Sequence, residues 1–402
     1  MQCSDTTTFL HNLRTVNQRA GVDNEVVDLI ESFVYLRLKH NHEIDFYNAA
    51  KPIPTGNKAL QEFLRKNSHL DERAKNFITA YWQEMKASNL CCIFSCSHLA
   101  HLMQTPLDQL YSLARNQENN YQTFTIKKSS GKNRTIQAPN LKLKAVQRKI
   151  LDTVLQHVPL NMHAEGFRKN RSIFTNAVHH VNNRVLVKLD IQDFFPTISH
   201  KRVKGMYLQL GYPQQVATLL STLATHQGTL PTGAPTSPAI ANIISRKLDK
   251  RFVNLGRKIG FSYSRYADDM TVSGNDERIV KMIPFFKEII EDEGFAVNEQ
   301  KIRIMRNGRR QTVTGVVVNQ KPNVAREEIK KLRAVLHNCK HGNLIEQSEI
   351  WAKKEKSMSF PHAYSVTDFN RSLQAKIHFL KMINRPAGEK LLAEYHSIAW
   401  PG

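Results

Sequence analysis

Two adjacent aspartates at the tip of a short hairpin constrain the fold of this chain more than any other feature. Residues 261–272 contain two short strand patterns on either side of Ala267, Asp268 and Asp269. Adjacent carboxylates repel each other, which costs free energy unless a cation lies beside them. The pair therefore indicates either a solvated turn or a site for a positive ion.

A third carboxylate follows a separate apolar strand earlier in the chain. Residues 185–190 read Val-Leu-Val-Lys-Leu-Asp, which places Asp190 at the carboxyl end of a strand. Carboxylates that converge from two strands supply the oxygen ligands that Mg²⁺ prefers. Two such ions can activate a hydroxyl and stabilise a leaving pyrophosphate. We therefore predict that Asp190, Asp268 and Asp269 are catalytic and bind two Mg²⁺ ions, with Mn²⁺ as an alternative.

The charge of the chain favours a polyanionic partner. Its 57 Lys and Arg exceed its 35 Asp and Glu, which gives a formal net charge of +22. Residues 91–321, which contain the three aspartates, hold 33 basic and 16 acidic residues, whereas residues 1–90 hold 11 of each. An excess of this kind is typical of nucleic-acid-binding proteins, although a general solubilising charge gives the same composition.

Other features limit the class of protein. No apolar run approaches the ~20 residues that span a bilayer, so we expect no membrane association. The first residues lack the basic and apolar stretches of a secretory signal, and five cysteines are too few for a disulfide scaffold. We therefore expect a soluble protein of the cytoplasm, which is a reducing compartment.

The Cys and His residues between positions 91 and 101 allow two interpretations. Thiolates and imidazoles are zinc ligands, so Cys92, Cys96, His98 and His101 could form a metal site. Their spacing is compressed, however, and the apolar residues among them recur at helical spacing. An ordinary helix is the alternative that this pattern favours.

A turn-rich segment lies between the acidic strands. In residues 230–242, Gly233 permits close approach of the backbone to a template or a nucleotide. Ser237 can cap a helix and Pro238 suits its first turn. The apolar positions of residues 240–252 then predict one face of a single helix.

Two further motifs complete a resemblance to a known family. Asn176 to His180 reads Asn-Ala-Val-His-His, and Val313 to Gly315 reads Val-Thr-Gly. Together with the acidic strands, these motifs resemble the palm of reverse transcriptases, and more narrowly the retron reverse transcriptases. The similarity covers residues 95–402 approximately.

The resemblance implies an α/β (α+β) fold of right-handed fingers, palm and thumb. The palm would contain a small antiparallel sheet, and the thumb would be helical. We predict a helical N-terminal extension at residues 1–90, fingers at 91–184, a palm at 185–321 with finger parts interleaved, and a thumb at 322–402.

The resemblance also implies roles for residues around the aspartates. The backbone carbonyl of Ile191 would assist in metal binding. Phe195 would be the aromatic steric gate that excludes a ribose 2′-hydroxyl, and its alternative is a core phenylalanine. Lys301 would lie near the triphosphate, and its alternative is a surface lysine. Asp193 is either a surface acid or a fourth carboxylate near the metals.

Further residues are implied to contact nucleotide or nucleic acid. Residues 121–138 predict a β-hairpin, on which Lys128 and Arg134 would hold the triphosphate or contact RNA. Gln227 and Gly233 would touch the template and the nucleotide base. The predicted RNA contacts are Asn176, His180, Val313, Thr314, Gly315, Arg333 and Lys376.

The implied function is that of the retron family. Such a polymerase binds a cognate structured non-coding RNA, primes from an internal guanosine 2′-hydroxyl and uses dNTPs to make branched multicopy single-stranded DNA. A host RNase H, a separate effector protein, a higher-order assembly and anti-phage defence are implied as well. The alternatives are a reverse transcriptase of group II intron, diversity-generating or abortive-infection type, and an inactive RNA-binding scaffold.

Overall fold

The computed structural model describes residues 72–127, 131, 133–354 and 364–400, together with residues 60, 61, 64 and 65. No helix within these ranges is long and apolar enough to cross a membrane. Most of the predicted N-terminal extension, residues 1–90, lies outside the described residues.

The described part of the chain divides into two compact units built from interleaved segments. The first contains the described residues up to Ile126, together with Asn133–Leu160 and Phe195–Ile244. The second contains Asn161–Phe194 and the described residues from Ser245 onward, with Lys127 and Gly131. These two compact units do not coincide with the four predicted domains. The boundaries of those domains stay a prediction.

Helices make up most of both units, and many are short. The described α-helices are α1 (Glu72–Ala87), α2 (Cys96–Leu102), α3 (Leu107–Arg115), α4 (Gln117–Asn120), α5 (Leu141–Thr153), α6 (Ile173–Val178), α7 (His200–Gln209), α8 (Gln214–Ala224), α9 (Ser237–Ile244), α10 (Arg246–Ile259), α11 (Arg278–Lys281), α12 (Ile283–Asp292), α13 (Arg326–His341), α14 (Leu344–Lys354), α15 (Val366–Ile383) and α16 (Arg385–His396). Short 3₁₀ turns cover Leu155–His157 and Glu299–Lys301.

The strands form three sheets. The described strands are β1 (Tyr121–Lys127), β2 (Asn133–Pro139), β3 (Val185–Asp190), β4 (Ser262–Tyr266), β5 (Asp269–Gly274), β6 (Arg303–Arg306), β7 (Thr312–Val313) and β8 (Val316–Val317). β1 pairs with β2, as the predicted hairpin requires, and β7 pairs with β8. The remaining four strands form one sheet in the order β4-β5-β3-β6, in which every neighbouring pair is antiparallel.

The four-stranded sheet organises the second unit. Its central strand β3 is a nearly continuous apolar run, and every residue in it except Lys188 is buried. Such a run suits a strand that is covered on both faces. The predicted α+β architecture with a small antiparallel sheet is confirmed.

One predicted helix is interrupted. α9 ends at Ile244 and α10 begins at Arg246, so the single helix predicted over residues 240–252 is wrong. Ser245 between them has φ −79° and ψ 1°, outside the helical range, and is fully buried. The apolar periodicity continues through the break, which is why the sequence pattern does not reveal it.

The Cys and His segment is an ordinary helix. Ser95 caps α2 by accepting a hydrogen bond from the His98 backbone N–H at 3.1 Å. The His98 ring is buried, and its Nδ1 accepts from the Phe94 N–H at 3.3 Å, so burial lowers the pKa of His98 to about 4. The helical alternative is therefore correct, and His98 is a core residue rather than a zinc ligand.

Helices α13 to α16 pack around a separate apolar core in the second unit. Trp351 and Phe369 meet edge to face with ring centroids 5.6 Å apart at its centre. Ser365 and Asp368 form a capping box that begins α15. The described residues of the predicted thumb, 322–402, are therefore mainly helical, as the prediction expects.

Candidate active site

The sheet brings the three predicted catalytic aspartates to one edge. The register of β3 and β5 pairs Asp190 with Asp269. Asp268 lies in the two-residue turn that joins β4 to β5, and its backbone carbonyl accepts from the Ile191 N–H at 3.0 Å. Two strand ends and one turn therefore hold Asp190, Ile191, Asp268 and Asp269 together, as the sequence predicts.

The electrostatics of this edge are those of a cation site. Burial raises the pKa of Asp268 above its ordinary value, and the charges of Asp190 and Asp269 raise it further. Excess negative charge on clustered carboxylates is what a divalent ion neutralises. Among the described residues, no group of three or more Asp, Glu, His or Cys side chains is already arranged to hold a metal ion. The donor set nevertheless fits Mg²⁺, because three carboxylates and a backbone carbonyl supply only hard oxygen ligands.

Two lysines pair with two of the three aspartates, Asp190 and Asp269. The Lys301 ammonium donates to both carboxylate oxygens of Asp190, at 2.7 and 2.8 Å. The ammonium of Lys188 lies 3.7 Å from Oδ1 of Asp269. Lys301 is thus an exposed lysine that is paired with a predicted metal ligand, and its place near a triphosphate stays a prediction.

A fully buried ion pair supports the turn that carries Asp268. Arg265 on β4 donates from Nε and Nη2 to the two carboxylate oxygens of Asp249 on α10, each at 2.8 Å. The third nitrogen, Nη1, donates to the carbonyl of Ala267 at 3.0 Å, and the Tyr263 hydroxyl donates to Asp249 at 2.7 Å. The guanidinium therefore ties α10 to the turn between Tyr266 and Asp269.

Sequence reasoning missed this pair. The available signal was a charged residue in a strand whose other residues are Ser and Tyr, since a buried arginine needs a buried acid. Asp249 gave no matching signal, because an acid in the first turn of an amphipathic helix is ordinarily solvated.

A loop backbone packs directly against the other side of the turn. Ala164 bridges to Arg265 in parallel, and the Glu165 N–H donates to the Arg265 carbonyl at 2.8 Å. A Cβ atom added to Gly166 would lie 2.6 Å from the backbone nitrogen of Ala267, which itself has φ +59°. The Asp268 turn is therefore fixed by backbone packing on one side and by Arg265 on the other.

Gly166→Ala is expected to displace this turn. The overpacked contact should lower the free energy of unfolding by about 1–3 kcal/mol, and catalysis should fall more than substrate binding because the aspartates move. Chemical denaturation and primer-extension kinetics measure the two effects. Gly205→Ala is the matched control, since a Cβ there meets nothing within 4 Å. Equal kinetics in both variants would contradict the assigned role of Gly166.

The Asn-Ala-x-x-His element lies inside the second unit. The two ring nitrogens of His180 lie 2.7 Å from the hydroxyls of Ser273 and Ser264. Ser264 in turn donates to the Asn176 side-chain oxygen at 2.6 Å, and the Asn176 amide donates to Thr314 at 3.3 Å. The element thus connects the sheet to the Val-Thr-Gly turn.

This placement corrects part of the predicted RNA interface. Asn176, His180 and Val313 are 1%, 0% and 0% exposed, so their side chains cannot contact RNA in this structure. Their polar groups are satisfied within the unit instead, as buried polar groups require. Thr314 and Gly315, at φ +46° and +85°, form the turn between β7 and β8 and stay predicted contacts.

Burial of His180 leads to a prediction about acid stability. Burial, then the charges of His179 and His163, lowers the pKa of His180 to about 3. At a pH below about 6.5, this histidine is protonated in the unfolded state but stays neutral in the folded state. The free energy of unfolding therefore falls as the pH falls. Between pH 7 and pH 5 the wild type should lose about 2 kcal/mol from this group. His180→Asn, which does not titrate, should show a smaller loss in denaturation curves at the two pH values, and an equal loss would contradict the assignment.

Three of the predicted nucleotide contacts in the first unit lie on β2 or contact it. The Gly233 N–H donates to the Gln137 carbonyl at 3.1 Å, and a Cβ on Gly233 would lie 2.6 Å from that oxygen. The close approach that Gly233 permits in this structure is to a protein strand, and its approach to a template or nucleotide stays a prediction. The Gln137 amide also donates to the side chain of exposed Gln227 at 3.4 Å. Arg134 is exposed on the same strand.

The other predicted contacts are dispersed. Phe195 is half-buried in the first unit. Lys128 lies outside the described residues. In the second unit, Arg333 is exposed on α13, and the Lys376 ammonium lies 5.2 Å from the centre of the Trp351 ring.

Comparison with known proteins agrees with the motifs. Residues 126–359 match the family described as "Reverse transcriptase (RNA-dependent DNA polymerase)". The chain is 40% identical over 248 residues to the retron Mx65 reverse transcriptase of Myxococcus xanthus, which covers 56% of this chain and 58% of that protein. It is 34% identical over 319 residues to the retron Mx162 reverse transcriptase of the same organism, with coverages of 70% and 66%.

The match to a third relative covers a larger share of that relative's length. The chain is 34% identical over 237 residues to the retron Ec86 reverse transcriptase of Escherichia coli, which covers 58% of this chain and 74% of that protein. The chain spans less than two thirds of the length of the two Myxococcus relatives.

Proposed function

The chain belongs to the retron reverse transcriptases, and from this membership we propose that it acts as an RNA-directed DNA polymerase. The observation that carries the proposal is the sheet edge where Asp190 pairs in register with Asp269 beside Asp268. Three carboxylates on fixed backbone, with a raised pKa at Asp268, suit the binding of divalent ions that such polymerases use.

The proposed reaction is attack of a primer hydroxyl on the α-phosphate of a dNTP, with pyrophosphate as the leaving group. Asp190, Asp268, Asp269 and the Ile191 carbonyl would hold two Mg²⁺ ions. When bound, these ions lower the pKa of the attacking hydroxyl and neutralise charge on the phosphates. The backbone supports at Gly166 and Arg265 would keep the aspartates in place, and Lys301 would donate a proton to the leaving pyrophosphate.

We further propose that Phe195 selects dNTPs over rNTPs. An aromatic face below the sugar would collide with a 2′-hydroxyl. Phe195→Ala is expected to reduce discrimination against rNTPs by at least about tenfold, measured as the ratio of kcat/KM for dGTP and rGTP. Phe195→Tyr keeps the ring and should keep the discrimination. An unchanged ratio in Phe195→Ala would support a purely structural phenylalanine instead.

We propose that the template is a cognate structured non-coding RNA and that the product is branched. Priming from an internal guanosine 2′-hydroxyl would leave DNA joined to the RNA, and a host RNase H would trim the template. Exposed cations such as Arg134 and Arg333 would contact the phosphate backbone. The resulting complex would hold an effector protein in anti-phage defence.

The experiment that tests this function begins with expression of the chain together with its flanking genomic non-coding segment. Extracted nucleic acid should contain a short DNA that shifts on RNase treatment and resists ligation at its 5′ end until it is debranched. Purified protein should incorporate dNTPs with Mg²⁺, stop when EDTA is added, and recover when excess Mg²⁺ is restored.

The other outcomes distinguish the alternatives. Metal-dependent extension of an added primer without branched DNA would indicate a reverse transcriptase of another type. Absence of incorporation in both assays, with RNA still bound, would indicate an inactive scaffold and overturn the proposed function.

A further inference from the structure

A cleft lies in the same unit as the aspartates, at the other end of the sheet. Its volume is about 970 Å³, and it is lined by Arg184 before β3, by Ser262 at the start of β4 and by Gly274 at the end of β5. The register of β3 and β5 pairs Asp190 with Asp269 at one end and Val185 with Gly274 at the other. Five residue steps at about 3.4 Å each separate these ends by about 17 Å. The cleft is therefore distinct from the catalytic edge.

The acids of the cleft are already neutralised by arginines. Glu277 accepts two hydrogen bonds from Arg306, each at 3.0 Å. Asp276 accepts from the side chain of Arg278 at 2.6 Å. Neither carboxylate is thus available to repel an anion or to pair with another cation of the cleft.

Two arginines of the cleft remain available. Arg184 and Arg257 are exposed and line the cleft. Within the described ranges, no ion pair or side-chain hydrogen bond engages either guanidinium group. A guanidinium presents a planar fork of donors that matches phosphate oxygens and stays charged at any physiological pH. The available charge of the cleft is therefore positive.

The walls of the cleft are held in place. The Arg184 backbone N–H donates to the Asn275 side chain at 3.1 Å, and the Asn183 amide donates to the Ser273 hydroxyl at 3.0 Å. These bonds fix the segment before β3 to the end of β5. A Cβ on Gly256 would lie 2.6 Å from the Phe261 carbonyl, so this wall packs without a side chain. The site is thus formed in advance of any ligand.

We propose that this cleft binds the phosphate backbone of a folded segment of the nucleic acid that the protein carries, with Arg184 and Arg257 on neighbouring phosphates. A cleft of this volume exceeds the need of a single phosphate ion, and its two available arginines favour an anionic ligand. The inference rests on the proposed function for the presence of a bound nucleic acid. It adds a holding site away from the point of synthesis, so that one part of the nucleic acid stays attached while another is copied.

The test is a binding titration of the full chain with two probes. These are the fluorescein-labelled transcript of the flanking non-coding segment and a single-stranded DNA of the same sequence. Arg184→Ala/Arg257→Ala is expected to weaken RNA binding by about tenfold and to reduce the slope of log affinity against log KCl concentration by about 2. Arg184→Lys/Arg257→Lys should retain most of the slope, because the charge is kept.

The matched control is Arg251→Ala/Arg385→Ala, which removes the same charge from arginines already paired with Asp292, Glu293 and Glu389. It should leave both the affinity and the slope near wild type. Equal losses in the two double variants would mean that only overall charge matters, and no loss in the cleft variant would exclude the site. Either result overturns the proposal. A loss confined to the DNA probe would identify DNA as the occupant.

Primer extension on an added template separates this proposal from the proposed function. The cleft variant should extend the primer like wild type, since the cleft lies away from the aspartates. A wild-type protein without extension activity would contradict the polymerase, while the RNA titration would still report on the cleft. A cleft variant that binds both the RNA and the DNA probe like wild type would contradict the cleft alone.

Discussion

Asp268→Asn is expected to lower the rate of nucleotide incorporation by at least about a thousandfold and, in metal-free buffer, to raise the midpoint of thermal unfolding. The amide keeps the size of the side chain but removes the charge that would hold an ion. Without metal that charge is unfavourable, because burial and then the charge of Asp190 raise the pKa of Asp268. One substitution should therefore move activity and stability in opposite directions.

Primer-extension kinetics and calorimetry in EDTA measure the two effects. Asp193→Asn is the matched control, since Asp193 is an exposed acid three residues after Asp190, and it should change neither quantity. Parallel loss of activity and stability in Asp268→Asn would contradict the argument from charge. Loss of activity in Asp193→Asn would instead add a fourth carboxylate to the proposed site.

Arg265→Met is expected to lower the free energy of unfolding by about 3–5 kcal/mol, because it leaves the buried carboxylate of Asp249 without a partner. Both side chains are 0% exposed, so water cannot replace the lost guanidinium. Activity should fall as well, even at temperatures where the variant is folded, because the Ala267 carbonyl loses its hydrogen-bond donor.

A double variant separates these two effects. Arg265→Met/Asp249→Leu removes both charges and should recover part of the stability, because no buried charge is then left unpaired. The recovery should be incomplete, because the buried Tyr263 hydroxyl loses its acceptor. Its activity should stay low, because the turn before Asp268 is still unsupported. Urea denaturation and primer extension measure the outcome. Full activity in the double variant would show that the turn does not need Arg265.

The sheet edge that carries Asp190, Asp268 and Asp269 could be predicted because its signals are local. An apolar strand that ends in Asp190 and a hairpin that carries Asp268 and Asp269 specify the strand ends on which the carboxylates lie. The supporting groups could not be predicted in the same way. Arg265 and Asp249 meet through the packing of α10 against β4, which no sequence spacing records.

The motifs that mark the family were harder to interpret. Asn176 and His180 were predicted to contact RNA from the family resemblance of their motif, which carries no information on burial. The structure uses both to satisfy hydroxyl groups of a buried network, with Ser264 between them. The interruption between α9 and α10 was likewise invisible, because the apolar period continues across Ser245.

The pairing of Lys301 with Asp190 has a consequence for how the first divalent ion binds. Both carboxylate oxygens of Asp190 already accept hydrogen bonds from an ammonium. A divalent ion bound by Asp190 would have to displace this ammonium, so the site would gain one positive charge rather than two. Such an exchange would weaken the affinity for the ion. The displaced Lys301 would then be free to serve as the proposed acid for the leaving pyrophosphate.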